Sequence, residues 1–151
     1  MKLAKFLLSV GTMAMMAVTG ASAEEITVAT VNNNDMIVMQ KLAPKWEEAT
    51  GNKINWVVLE ENALRQRTTQ DISTNGGSFD IMFIGAYETP IWGKNGWLTS
   101  LNDFADDKAY DLNDIFPLVR NSLSSDGNLY AVPLYSETSF TYYRKDLFEK
   151  A

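Results

Sequence analysis

Between residues 25 and 84 the sequence alternates strand-like and helix-like segments in a regular order. β-Branched residues favour strands at Glu25–Val31 and Lys53–Leu59, and Phe79–Ile84 is a nearly continuous apolar run, typical of a strand buried on both faces. One helix is predicted before Thr50 and another over Glu61–Ser73. The order strand, helix, strand, helix, strand predicts a parallel sheet with right-handed crossovers and flanking helices, which is an α/β fold.

The first helix is predicted from a polar start and an apolar face. Asn32–Asp35 is rich in residue types that begin helices, and Gly51 is a typical helix end. Pro44 predicts a kink or a break near Ala43, because proline cannot donate the backbone hydrogen bond of a helix interior. The apolar face consists of Met39, Leu42, Ala43, Trp46 and Ala49.

Shorter elements are predicted in the second half of the sequence. We expect a short helix over Ile115–Leu123, a turn at Asp126–Asn128 and a strand over Thr138–Tyr143. A last helix begins at Asp146, and the sequence stops after about one and a half turns of it. We therefore expect the sequence to be part of a longer protein.

Residues 1–23 carry the pattern of a secretory signal peptide. Lys2 and Lys5 supply positive charge, Phe6–Val18 is uncharged and mostly apolar, and Ala21–Ala23 is a cleavage site of the A-x-A type. A membrane-spanning helix would need ~20 apolar residues. Because there is no twin arginine and no cysteine at the cleavage site, we expect Sec-type export of a soluble protein without a lipid anchor, into a bacterial periplasm.

The composition excludes several kinds of chemistry. Neither cysteine nor histidine occurs, so disulfides, thiolate nucleophiles, histidine bases and Cys/His metal sites are impossible. The formal net charge is −6, and loss of the leader with its two lysines would leave −8. Such an acidic surface repels phosphate backbones, which disfavours nucleic acid as a partner. No glycine motif for phosphate binding is present, and no cofactor or metal is expected.

Polar or aromatic residues follow three predicted apolar stretches, at Asn32–Asp35, Gly85–Glu88 and Tyr135–Glu137. The carboxyl ends of parallel strands meet at one edge of an open sheet, which is where such sheets bind ligands. Carboxylates and amides can hydrogen-bond adjacent hydroxyl groups, and aromatic rings can pack on the C–H face of a sugar or polyol. The three loops together favour a neutral polyhydroxy ligand, although each loop alone is equally typical of helix capping or of a charged surface.

A secreted glycoside hydrolase or lyase is the alternative function. Glycoside hydrolases use two carboxyl groups about 5–10 Å apart, and such a pair could come from Glu60, Glu61, Glu88 and Glu137. The sequence has 19 acidic residues, which produce such pairs in any fold, so the pattern does not separate an enzyme from a binding protein.

Recognisable motifs run through residues 25–151. Four of them are Pro44–Gly51, Phe79–Phe83, Gly127–Pro133 and Tyr142–Phe148. These resemble the extracellular solute-binding proteins of bacterial carbohydrate ABC transporters, the family that includes maltose-binding protein. Three further segments are similar to the sorbitol- and mannitol-binding branch of that family: Thr30–Met36, Leu59–Arg67 and Tyr87–Lys94.

The resemblance implies a periplasmic-binding-protein-like α/β protein whose two lobes close on a ligand and deliver it to a membrane permease, without catalysis. In that scheme residues 1–23 are the signal peptide, and residues 24–151 are a partial N-terminal lobe with a central, mostly parallel sheet flanked by helices. The second lobe is absent from the sequence. The implied function is periplasmic capture of a sugar alcohol or small sugar for an ABC permease.

The resemblance also implies ligand-binding residues. Glu137 matches a position where the family places a carboxylate on its sugar, and Tyr87 stands where a ligand-contacting aspartate is usual. Asn33–Asp35 matches the ligand-lining loop after the first strand. With Glu88, which comes from the loop chemistry above, the expected ligand-binding residues are Asn33, Asn34, Asp35, Glu61, Tyr87, Glu88, Tyr135 and Glu137.

Overall fold

A computed structural model of the chain describes residues 23–137 and 139–151. The predicted signal peptide, apart from Ala23, lies outside the described residues. Within these two ranges, no helix is both long enough and apolar enough to cross a membrane.

Three parallel strands form the main sheet, in the order β2-β1-β3. They are β1 Glu25–Val31, β2 Lys53–Leu59 and β3 Ile81–Met82. β1 pairs with β2 along its whole length, with Val31 opposite Leu59, and pairs on its other side with β3, with Ala29 opposite Met82. The predicted α/β fold with a mostly parallel sheet is confirmed.

Two helices connect these strands, and both begin on capped ends. They are α1 Asn34–Thr50 and α2 Glu61–Ser73. Asn33 caps α1 and Glu60 caps α2, each through a side-chain oxygen that accepts backbone N–H groups of the first turn. Gly51 ends α1 in the left-handed conformation, with φ 76°, which glycine adopts without steric cost.

The main core lies where the sheet meets the two helices. Its buried members are Ala29, Val31, Met36, Leu64 and Phe79. Leu64 is 2% exposed, and truncating such a leucine to alanine costs about 2–5 kcal/mol. This core holds the starts of α1 and α2 at the edge of the sheet where the site residues lie.

Shorter elements follow the sheet. They are α3 Glu88–Lys94, α4 Asn102–Ala105, a 3-10 turn at Leu112–Asp114, α5 Pro117–Ser122, the antiparallel strands β4 Ser124–Ser125 and β5 Asn128–Leu129, and α6 Lys145–Phe148. The predicted short helix is present as α5, and the predicted turn joins β4 to β5.

Of the kink or break predicted near Ala43, the break is wrong, because α1 continues through Pro44 to Thr50; a kink at Pro44 stays a prediction. Pro44 is exposed, so the carbonyl oxygen that loses its helical partner can be hydrated. The predicted apolar face of α1 is mostly exposed. Ala43 is buried, whereas Met39, Leu42, Trp46 and Ala49 are exposed, because α1 packs against β2, an edge strand of the described sheet.

The third strand is shorter and more open than predicted. Its ladder is limited to Ile81 and Met82, flanked by backbone hydrogen bonds that Asp80 and Phe83 donate to β1. Ile81 is 53% exposed. The prediction of burial on both faces is therefore wrong, since β3 is an edge strand of the described sheet.

The C-terminal part of the chain also differs from the prediction. Residues 139–143, which belong to the predicted strand Thr138–Tyr143, form no strand. A strand needs a hydrogen-bonded neighbour, and in the described ranges these residues have none. The last helix begins at Lys145 after Arg144, so Asp146 lies inside its first turn rather than at its cap.

Candidate functional site

A cleft of about 620 Å³ opens at the carboxyl ends of β1 and β2. This volume lies within the ~300–1,000 Å³ that is typical of small-molecule sites. Because β1 and β2 are parallel and end in register, the loops that follow them lie side by side. The polar lining residues are Asn32, Asn33, Glu60, Glu61, Arg65, Tyr135 and Glu137, and the apolar ones are Val31, Val58, Leu59 and Phe83.

Asn33 connects the start of α1 to a distant segment of the cleft wall. Its Oδ1 accepts the backbone N–H of Met36 at 2.9 Å, and its Nδ2 donates to the Tyr135 hydroxyl at 2.9 Å. The Tyr135 ring lies 5.7 Å from the ring of Phe83, measured between centroids. One Nδ2 hydrogen of Asn33 is left for a ligand, since an amide nitrogen carries two.

The Tyr135 hydroxyl is kept in its protonated form. Burial is the main reason that the pKa of Tyr135 is raised, and the hydrogen bond from Asn33 opposes this rise. The negative charges of three carboxylates raise the pKa further, those of Glu137, Asp35 and Glu61. A tyrosine hydroxyl is protonated at neutral pH even at its ordinary pKa of about 10, so Tyr135 can donate its proton to a ligand oxygen.

Two consecutive glutamates stand at the start of α2. Glu60 Oε2 accepts the backbone N–H groups of Asn62 at 3.0 Å and Ala63 at 3.4 Å. Glu61 Oε1 accepts from both Nε and Nη2 of Arg65, at 2.9 and 2.6 Å. Each carboxylate keeps a second oxygen that accepts no hydrogen bond within the described part of the chain.

Arg65 joins the start of α2 to the start of α3. Its Nη1 lies 2.8 Å from Glu88 Oε1, and Glu88 Oε2 accepts the backbone N–H of Gly85 at 3.1 Å. Burial lowers the pKa of Arg65, but the hydrogen bond to Glu61 and the charges of Glu88 and Glu61 outweigh it, so the pKa is raised above its ordinary value. The guanidinium is therefore a fixed positive charge in the cleft wall.

Four of the eight predicted site residues line the cleft together, namely Asn33, Glu61, Tyr135 and Glu137. Glu88 is outside the lining and contacts Arg65. Asp35 lies in the first turn of α1, close enough for its charge to act on Tyr135.

The remaining two predicted residues, Asn34 and Tyr87, are not among the cleft-lining residues, and Tyr87 is 79% exposed. Ligand binding by each of the eight stays a prediction.

Sequence reasoning did not include Arg65, Phe83 and Glu60 among the ligand-binding residues. The spacing of Glu61 and Arg65 was a usable signal, because side chains four residues apart meet on one face of a helix. Phe83 directly follows β3, at the same sheet edge as the predicted loops. Glu60 was recognised only as one of several carboxylates, and its capping role depends on where α2 begins.

The cleft combines groups that suit a chain of neighbouring hydroxyls. Carboxylate oxygens of Glu60 and Glu61 can accept hydrogen bonds, and the Tyr135 hydroxyl and the Asn33 amide can donate them. The rings of Phe83 and Tyr135 offer an apolar wall for C–H groups.

Known proteins are similar to this chain in sequence and in fold. The model of the family described as bacterial extracellular solute-binding protein matches residues 30–151. The mannitol-binding protein of Pseudomonas aeruginosa is 55% identical over 130 residues, which is 85% of this chain and 29% of that protein.

Two solved structures extend the comparison. An ABC transporter solute-binding protein from Agrobacterium vitis S4 with bound D-mannitol is 55% identical, with a TM-score of 0.76 over 85% of this chain and 31% of that one. Another from Agrobacterium radiobacter K84, in complex with ribitol, is 27% identical, with a TM-score of 0.65 over 72% of this chain and 28% of that one.

The chain thus spans less than a third of the length of these relatives. Within that span, the family match covers β1 from Thr30 onward, all the helices and the cleft. The chain belongs to the family of bacterial extracellular solute-binding proteins.

Proposed function

We propose that this chain forms one wall of a binding site for a linear sugar alcohol, in a protein that captures the ligand outside the cytoplasm for an ABC transporter. The observation that carries the proposal is the 55% identity, over 85% of this chain, to a mannitol-binding protein and to a solute-binding protein with bound D-mannitol. The ribitol-bound relative supports the broader class, an acyclic polyol rather than one hexitol.

The chemistry of the cleft supports the same class of ligand. A linear polyol is neutral and carries a hydroxyl on every carbon, so it needs acceptors and donors that alternate along one wall. Glu61 Oε2 and the Tyr135 hydroxyl supply one of each, and Phe83 supplies the apolar contact for the carbon chain.

The alternative of a secreted carbohydrate-active enzyme gains no support. The family and the relatives above are binding proteins, and three of the four carboxylates that the sequence offered for catalysis have structural partners, while the fourth, Glu137, lines the cleft. Glu60 caps α2, while Glu61 and Glu88 are bonded to Arg65.

Location and partner follow from the same proposal. Residues 1–23 act as a signal peptide, residues 24–151 form a partial N-terminal lobe, and the protein acts in the periplasm without a lipid anchor. Its partners are the polyol and the permease subunits of an ABC transporter. The basis is the leader pattern of the sequence and the extracellular nature of the family.

The test uses a hybrid protein, because the chain spans 29% of its mannitol-binding relative. In this hybrid, residues 24–151 replace the matching segment of the Pseudomonas aeruginosa mannitol-binding protein. Calorimetry should give a D-mannitol Kd within about tenfold of the unaltered relative. A hybrid that melts cooperatively but releases no heat with D-mannitol or ribitol would refute the proposal.

A further inference from the structure

Arg65 occupies a central position in the cleft wall. Its Nε and Nη2 bind one oxygen of Glu61, and its Nη1 binds one oxygen of Glu88. A guanidinium has donors in a fixed planar fork, so both carboxylates are held in orientations set by Arg65.

The two carboxylates differ in what remains free. Both oxygens of Glu88 are engaged, one by Arg65 and one by the Gly85 N–H. Glu61 has only Oε1 engaged, so Oε2 is available to a ligand. Glu88 and Arg65 pack closely against Gly85, because a Cβ at position 85 would lie 2.7 Å from Glu88 Oε2 and 3.1 Å from Arg65 Nη1.

Arg65 also makes the net charge of the cleft lining less negative. Among the described residues that line it, three are carboxylates, Glu60, Glu61 and Glu137, and Arg65 is the sole cation. Arg65 offsets one of these three negative charges, and its loss would make the cleft lining more negative and more attractive to a cationic ligand.

We propose that Arg65 is the specificity-determining residue that fits this acidic cleft to neutral polyols. It orients Glu61, and its positive charge reduces the attraction of the lining carboxylates for aminated polyols. The inference rests on the proposed function and deepens it. It separates two effects: the fork of Arg65 orients Glu61, and its charge sets the preference between a neutral and a cationic ligand.

The test compares two ligands on four forms of the hybrid. The ligands are D-mannitol and its amine, 1-amino-1-deoxy-D-mannitol, which carries a positive charge at pH 7. The forms are the unmodified hybrid, Arg65→Gln, Arg65→Lys and Arg67→Gln. Arg67 is a matched control, because it is two residues away on α2, is exposed, and lies over the Phe79 ring instead of in the cleft lining.

Arg65→Gln should weaken D-mannitol binding and raise the affinity of the amine relative to D-mannitol by about tenfold, as expected for one charge removed near an ammonium group. Arg65→Lys should weaken D-mannitol binding but leave that ratio within about twofold, since it keeps the charge and loses the fork. Arg67→Gln should change neither value by more than about twofold.

Three results would overturn the inference while the proposed function stands. The first is an unchanged ratio of amine to D-mannitol affinity in Arg65→Gln. The other two are a shift of this ratio in Arg65→Lys, or in Arg67→Gln, as large as the shift in Arg65→Gln. If the unmodified hybrid binds no D-mannitol, the proposed function fails and this inference fails with it.

Discussion

Several polar side chains in the cleft have one polar atom committed to a hydrogen bond within the fold and a second polar atom free to bind a ligand. Asn33 and Glu60 each use an oxygen to cap a helix, and Glu61 uses one to bind Arg65. The committed atom fixes the side chain, and the second atom is then presented in a defined direction. A site built this way loses little side-chain entropy on binding.

The free oxygen of Glu61 should contribute strongly to polyol affinity. In the hybrid, Glu61→Gln should weaken D-mannitol binding by about 10- to 100-fold, because a hydrogen bond to a charged acceptor is lost. Glu48→Gln is the control, since Glu48 is an exposed carboxylate near the C-terminal end of α1. Calorimetry measures both, and equal effects of the two substitutions would contradict the role of Glu61.

Tyr135 should titrate at a higher pH than an ordinary tyrosine. Burial raises its pKa above 10.0, helped by neighbouring carboxylates. Labelling the tyrosine Cζ atoms with ¹³C in the full chain, with Tyr135→Phe to assign the signal, gives its midpoint by NMR. We expect the midpoint above pH 10, and a midpoint at or below 10 would show that the hydroxyl is not protected in this way.

At the scale of elements, the start of α1 is both a structural joint and part of the site. Asn33→Ala should lower the free energy of unfolding by about 1 kcal/mol through loss of the cap, and should also release Tyr135. Asn34→Ala is the matched control, since Asn34 is the first residue of α1 and not its cap. Urea unfolding of the chain measures both, and equal losses would contradict the assignment of the cap.

The other end of α1 is joined to β2 by Glu47. Its Oε1 accepts the Ile54 backbone N–H at 2.8 Å, and this bond is the main reason that the pKa of Glu47 is lowered; Lys53 adds to the effect and burial opposes it. A lowered pKa means that the stabilisation is present above pH 4.5 and is lost as the pH falls through the pKa of the folded state.

Glu47→Ala should therefore lower the melting temperature at pH 7, and the gap from the unchanged chain should narrow as the pH falls below about 4.5. Thermal unfolding followed by circular dichroism at several pH values measures this gap. A gap of constant size from pH 7 to pH 3 would mean that the carboxylate charge is not what stabilises the joint.

The elements that local sequence determines were predictable. β1, β2 and α2 have the predicted bounds, because β-branched runs and helical spacing act within a few residues of one another. The third strand was overpredicted, because its length depends on how much of β1 it can pair with. Pro44 does not end α1, because the cost of a proline inside a helix depends on whether the freed carbonyl faces water.

At the scale of the whole molecule, the sheet edge explains why part of the site could be predicted. A parallel sheet brings its strand ends to one edge, so Asn33 could be placed at this edge from strand order, whereas Glu61 was expected from the family resemblance. The hydrogen bond between Asn33 and Tyr135 joins residues 102 positions apart, and no local sequence pattern predicts it. For Arg65, the spacing to Glu61 on the same helix was a local signal, whereas its contact with Glu88 on a different helix had none.

A crystal structure of the hybrid with D-mannitol tests the proposed polyol site most directly. We expect the ligand at the carboxyl ends of β1 and β2, with hydroxyl groups within hydrogen-bond distance of Glu61 Oε2 and the Tyr135 hydroxyl and the carbon chain against Phe83. D-mannitol bound elsewhere, with neither Glu61 nor Tyr135 in contact with it, would refute the proposed site.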